Sequence, residues 1–172
     1  ITFIDDVVPD VKKINLLFRA SRDGWESSDF HRLCDMKGRT LSIFRSSKGY
    51  LSAAYSSRPW TSEGGRKKDK QAFVMSLTNE MRVFRPMNPS KAVWHHNWRG
   101  PSFPFGLAVA GTMNEINQGC SVTEGHEFDF GRYCVVEDGQ GNSILTGEKE
   151  KFTCTALEVF LRSEEHTSEL QS

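Results

Sequence analysis

Short stretches of β-forming residues, separated by turn signals, recur along most of this chain and limit it to a small set of folds. The clearest pair is 40–45 and 50–57, which flank Lys48-Gly49 and predict a β-hairpin. We count about seven or eight such segments and one helix. Because the segments do not alternate with helices, we predict a mainly β (α+β) fold, a two-sheet antiparallel β-sandwich with a few short helices.

Length and charge exclude several classes of protein. The chain has 172 residues, enough for one domain, with 22 basic and 22 acidic residues. This zero net charge argues against a nucleic-acid partner, because such proteins usually carry a basic excess. The apolar runs are only a few residues long, so no membrane insertion is expected. Four cysteines without a CxxC pair indicate reduced thiols in a cytoplasmic protein, with no metal site and no cofactor.

The last eleven residues, 162–172, differ from the rest of the chain. Their sequence, RSEEHTSELQS, resembles the in-frame translation of a sequencing adapter. We therefore expect one domain at 1–161, truncated at its leading end, and a non-native tail at 162–172. Without the tail, which holds one Arg and three Glu, 21 basic and 19 acidic residues remain, a net charge of +2.

One helix is predicted over 27–36, after a buried strand at 15–20 and a turn at 21–24. Its first residues, Ser27-Ser28-Asp29, offer N-capping oxygens. Gly38 suits the helix exit, because a left-handed backbone costs glycine little. The apolar face of this helix consists of Phe30, Leu33 and Cys34.

Several segments taken together resemble the TLDc domain family. The resemblance covers 15–161, densely as far as Leu77 and sparsely afterwards. The segments that carry it are LLFRASRDG at 16–24, DFHRLCDMKG at 29–38, PWTS at 59–62, AFVMSL at 72–77, GPSF at 100–103, LTG at 145–147 and EVF at 158–160.

The resemblance implies a two-sheet β-sandwich in a eukaryotic, cytoplasmic protein linked to oxidative-stress resistance. It also implies a protein partner, because members of the family bind the vacuolar proton-pumping ATPase and regulate its assembly. The family has no established catalytic mechanism, so the resemblance favours a non-enzymatic interaction domain without catalytic residues.

Four residues are candidates for partner binding. Arg19, Arg22 and Asp23 follow one another at a strand end and could present a charged patch. Trp60 could be an interface anchor, since Trp and Arg are enriched at interfaces. The alternative for the charged residues is an internal Arg–Asp pair that fixes the turn. The alternative for Trp60 is packing within the sandwich.

His31 and Cys34 are the only candidates that we consider for catalysis. A thiol beside an imidazole can act as a nucleophile, but both lie on one predicted helical turn, where convergence is awkward. Cys34 also lies on the apolar face, which favours core packing. His95-His96, with His126, suggests a metal site, but adjacent strand residues point to opposite faces and no further ligand has suitable spacing.

Three functions therefore stay open. The first is an interaction domain that binds and regulates the vacuolar ATPase. The second is a thiol-dependent antioxidant or hydrolytic enzyme that uses Cys34 and His31, which requires a reachable thiol with a lowered pKa. The third is a substrate-selecting adaptor module of a larger multidomain protein.

Overall fold

The computed structural model describes residues 14–118 and 133–162. Within them the chain forms nine strands, two short helices and a 3-10 turn over Pro89–Lys91. The predicted mainly β fold with few helices is confirmed. The helices are α1 (Ala20–Asp23) and α2 (Ser27–Cys34), and the strands are β1 (Ile14–Arg19), β2 (Thr40–Ser46), β3 (Leu51–Ser56), β4 (Glu63–Lys67), β5 (Phe73–Ser76), β6 (Val83–Phe84), β7 (Val93–His96), β8 (Ile116–Gln118) and β9 (Lys151–Arg162).

Seven strands form one antiparallel sheet in the order β1-β9-β2-β3-β5-β6, with β8 paired to the first residues of β9. The predicted hairpin is its centre: Thr40 of β2 faces Ser56 of β3, and Arg45 faces Leu51. Gly49 has a φ of 80°, the left-handed conformation that a tight turn requires. The turn residues and the strand pattern therefore act together to set the register.

β9 stays in contact with the core along its length because of a bulge. Cys154 and Leu157 are both fully buried, although residues three apart on a regular strand point to opposite faces. On β2, Arg45 faces Ala156 whereas Ser46 faces Cys154, so Thr155 is an extra residue. The bulge therefore returns the apolar side chains of both halves of β9 to the same face.

The second layer is built from β4, β7 and the segment after β7. The antiparallel β4–β7 pair is continued by isolated bridges, one between Trp94 and Ser102 and another between Arg99 and Ala110. Apolar side chains from both layers fill the interior of the sandwich. Among the fully buried ones are Phe18, Phe44, Val74 and Leu157 from the large sheet, together with Trp60, Phe103 and Leu107.

Helix α2 is shorter than the sequence predicts. It ends at Cys34, not at Met36, and Met36 itself has a left-handed φ of 61°. The N-cap residue is Glu26, and Asp29 in the first turn accepts a hydrogen bond from the backbone N–H of Glu26 at 3.2 Å. At its other end, the helix stops before Gly38, the residue that the sequence favours for the helix exit.

Other boundaries also differ from the prediction. Most of the expected turn at 21–24 belongs to the helix α1, and the strand β4 lies in a polar segment that carries no strand signal in the sequence. Over 133–137 the chain forms single bridges at Tyr133 and Glu137 and no continuous strand. Arg162, which the sequence assigns to the tail, is the last residue of β9, and its backbone N–H donates to the Arg39 carbonyl at 2.9 Å.

His126, discussed above as a possible metal ligand, lies outside the described residues, as do 1–13, 119–132 and 163–172. Of the helices at 14–118 and 133–162, none has the length and apolar character needed to cross a bilayer.

Candidate functional site

The charged residues after β1 form a self-contained turn. Asp23 accepts the backbone N–H of Arg19 at 2.8 Å, and its two oxygens accept hydrogen bonds from Nε and Nη2 of Arg22, both at 2.9 Å. The hydrogen bond from Arg22 lowers the pKa of Asp23. The Nε of Arg19 lies 3.3 Å from Glu158 on β9. The geometry is that of the internal pair, although the side chains of Arg19 and Arg22 stay about half exposed.

Trp60 does not offer a surface to a partner. Its side chain is fully buried, packs edge-on against Phe30 and Phe103, and donates its indole N–H to the Thr40 hydroxyl at 2.8 Å. The prediction of Trp60 as a binding residue is therefore wrong. A large aromatic ring at the centre of two packed layers contributes more by excluding water than it could at the rim.

Cys34 has none of the properties of a nucleophilic thiol. It is fully buried with Phe30 in the core, and burial raises the pKa of its thiol. A thiolate is the reactive form, and here neither the thiolate nor access for a substrate is favoured. The structure therefore argues against the hypothesis of a thiol-dependent enzyme that uses Cys34 and His31.

His31 instead joins α2 to the loop after β7. Its Nδ1 lies 2.7 Å from the Asp35 carboxylate, and its Nε2 lies 2.9 Å and 2.7 Å from the carbonyl oxygens of His96 and Arg99. Oxygen atoms of the described residues therefore face both ring nitrogens of His31. Ser62 donates to the second oxygen of Asp35 at 2.6 Å. His31 and Asp35 therefore position residues 96–99.

Aromatic and cationic side chains form a cluster around residues 96–99. The guanidinium carbon of Arg99 lies 3.7 Å from the ring centroid of Trp94 and 4.2 Å from that of Trp98. We call Trp94, Arg99 and Trp98 the Arg99 stack. Arg66 of β4 also lies over Trp94, at 4.4 Å, and His96 stacks on Trp98 at 5.3 Å between ring centroids.

The electrostatics of this cluster follow from burial and from its like charges. Burial, and then the charge of Arg66, lower the pKa of Arg99 to about 10. Burial, followed by Arg99 and Arg66, also lowers the pKa of His96. The surface beside Trp98, which is 50% exposed, thus combines positive potential with apolar area.

Sequence reasoning did not single out the Arg99 stack as a site. A signal was present, because Trp94, His96 and Trp98 are spaced by two and would share one face of an extended segment. The cation between the aromatic rings could not be foreseen, since Arg99 reaches Trp94 only through the bend of the loop.

The histidine pair on β7 behaves as the spacing predicts. The side chain of His95 is fully buried against Trp60 and lies 2.9 Å from the Thr61 hydroxyl, whereas His96 is on the opposite, partly exposed face. Within residues 14–118 and 133–162, no three His, Cys, Asp or Glu side chains lie close enough to hold a metal ion.

Comparison with known proteins assigns the chain to a family. The family model described as TLDc domain matches residues 2–162. A search of curated proteins gives no match. The matched range includes β1 to β9, both helices and the Arg99 stack. Since the match spans most of the 172 residues, this chain belongs to the TLDc domain family.

Proposed function

We propose that this chain is a non-enzymatic interaction domain that binds subunits of the vacuolar proton-pumping ATPase and supports oxidative-stress resistance in the eukaryotic cytoplasm. The observation that carries the proposal is the family match over 2–162, combined with the activity that the resemblance implies. The fully buried Cys34 supports the non-enzymatic part, because a folded domain of this shape gives a substrate no path to that thiol.

The first experiment uses the full chain as bait in a eukaryotic lysate and identifies bound proteins by mass spectrometry. Enrichment of several ATPase subunits over an unrelated β-sandwich is the expected result. Recovery of no ATPase subunit at any salt concentration that keeps the bait folded contradicts the proposal.

A second experiment asks whether the turn after β1 contributes to this binding. Arg22→Ser removes a half-exposed cation, and the matched control Arg82→Ser removes an exposed arginine on the loop before β6. If the turn faces the partner, only Arg22→Ser weakens recovery of the subunits. Asp23→Asn then shows whether the loss comes from the missing positive charge or from a changed conformation of the turn. Equal recovery with both variants assigns the turn a purely structural role.

A further inference from the structure

Arg99 is buried, and among the described residues it has no counter-charge of the kind that a buried arginine normally has. Its residue is 8% exposed, and among the described residues none accepts a hydrogen bond from its Nε. No ion pair between described residues includes its guanidinium. Burial of a charge without a counter-charge is unfavourable, so a guanidinium held in this way indicates a ligand that supplies one.

The carboxylates of the neighbouring elements are already engaged. Glu63 of β4 lies 3.2 Å from Lys67 on the same strand. Asp35 lies 2.7 Å from His31 and accepts the Ser62 hydroxyl at 2.6 Å. Both carboxylates are therefore already paired. A carboxylate from another molecule could approach Arg99 without breaking either of these contacts.

The geometry also limits what can reach Arg99. The guanidinium carbon lies 3.7 Å and 4.2 Å from the centroids of two indole rings, and such cation–π contacts do not use the N–H donors, so a ligand would have to engage the edge of the guanidinium. The edge of a guanidinium is a fork of N–H donors whose geometry matches a planar carboxylate. The contacts of His31 with the carbonyl oxygens of His96 and Arg99 fix the backbone of the loop. The guanidinium of Arg99 is therefore held in place before a ligand binds.

We propose that the Arg99 stack binds an acidic peptide segment of a partner protein, with a Glu or Asp carboxylate on Arg99 and an adjacent apolar side chain on Trp98. The half-exposed indole of Trp98 supplies the apolar contact that a free acid would not use. Arg66 adds positive potential around the carboxylate. This inference deepens the proposed interaction function and rests on it, but its test needs no ATPase.

The test is a titration of the full, ¹⁵N-labelled chain, followed by NMR at the Arg99 side-chain Nε and the indole N–H groups of Trp94 and Trp98. The probes are a short peptide with a central Glu-Leu-Glu, its Gln-Leu-Gln counterpart and inorganic phosphate, all at constant ionic strength. We expect saturable shifts with the acidic peptide and an affinity at least about tenfold above that of the amide peptide.

Three variants and one control variant complete the test. Arg99→Gln should reduce the affinity for the acidic peptide at least about tenfold, and Arg99→Lys should restore little of it, because lysine lacks the planar fork. Trp98→Ala, at an exposed position that the core does not need, should weaken binding about three- to tenfold. The matched control Arg82→Gln, whose guanidinium lies 5.5 Å from the ring of Phe84, should leave binding unchanged.

Several outcomes overturn the proposal. They are equal binding of the acidic and amide peptides, tighter binding of phosphate than of the acidic peptide, and no saturable shift up to about 10 mM peptide. Undiminished binding by a folded Arg99→Gln variant also overturns it. If Arg99→Gln does not fold, Trp98→Ala becomes the deciding variant. An unchanged affinity of that variant for the acidic peptide would contradict the apolar contact and overturn the proposal. A failed capture of ATPase subunits would contradict only the proposed function, because the peptide titration does not depend on the ATPase.

Discussion

His95 is the residue through which mild acid should act on this fold. Its side chain is fully buried, and burial, reinforced by Arg58 and Lys67, lowers its pKa from 6.5 to about 4. Between these values the unfolded chain binds a proton that the folded chain does not. Stability is therefore fully present above pH 6.5 and is lost as the pH falls towards 4, by roughly 3 kcal/mol in total.

The measurement is the free energy of unfolding against pH for the wild type and for His95→Asn. We expect the wild type to lose more stability than the variant between pH 6.5 and 5, where most carboxylates stay ionised. Parallel curves for the two proteins contradict the assignment of this slope to His95.

Thiol reactivity should separate the described cysteines by burial. Cys134 is exposed, whereas Cys34 and Cys154 are fully buried, and burial raises the pKa of Cys154 to about 12. In the folded chain, iodoacetamide should therefore modify Cys134 on the order of 100 times faster than either buried thiol. Peptide mapping by mass spectrometry gives the three rates, and denaturant should make them similar. Fast modification of Cys34 in native buffer would restore the thiol-enzyme hypothesis.

At the residue scale, the sequence predicts burial better than it predicts roles. The apolar spacing of Phe30 and Cys34 places both in the core correctly. Trp60 was misassigned because tryptophan is enriched both in cores and at interfaces, so residue type alone does not separate the two. The burial of Arg99 depends on two rings that the loop brings together, and spacing along the chain carries no information about that.

At the scale of elements, α2 depends on a polar connection as much as on its apolar face. His31→Ala removes the link to Asp35 and the contacts of Nε2 with the carbonyls of His96 and Arg99, although the His96 carbonyl still accepts the backbone N–H of Arg99. We expect a loss of about 1–3 kcal/mol in the free energy of unfolding. The matched control is Arg32→Ala on the same helix, whose side chain is 59% exposed and should cost less than about 0.5 kcal/mol.

Chemical denaturation of both variants measures this difference. The indole N–H signals of Trp94 and Trp98 give a second readout, because His31 holds the loop between them. Equal stability of the two variants would mean that the apolar face alone fixes α2 to the sandwich.

The strands divide into those that the sequence predicts and those that it does not. β2 and β3 carry β-formers on both sides of a glycine turn, and the prediction for them is confirmed to within two residues. β4 was missed because Gly64, Gly65 and its charged residues are typical of a loop. Its strand conformation comes from pairing with β7, an interaction between distant segments that local propensity does not contain.

At the scale of the whole molecule, β9 is the strand with the most neighbours in the large sheet. The strand pairs with β1, β2 and β8, and the family match also stops at residue 162. Deletion of 163–172 should therefore leave the melting temperature within about 1 °C of the full chain. Deletion of 151–172 should prevent folding, because it removes the strand that joins three others. Circular dichroism on heating tests both, and a large loss from the shorter deletion would show that the tail belongs to the domain.

The two-layer architecture was predictable, but the arrangement of its layers was not. Many short strands without alternating helices indicate a sandwich, and the structure agrees. The second layer is held largely by single bridges, such as Phe103 with Leu107, which leave no recognisable strand pattern in the sequence.

The pairing of β1 with β9 also has a consequence for synthesis of the protein. Ile14 faces Arg162, and β9 lies between β1 and β2, so the first two strands of the large sheet are joined only by the last. A ribosome must release the whole domain before this sheet can close, and until then β1 and β2 expose unpaired edges. We therefore expect the large sheet to close late in folding, only after the final strand has left the exit tunnel.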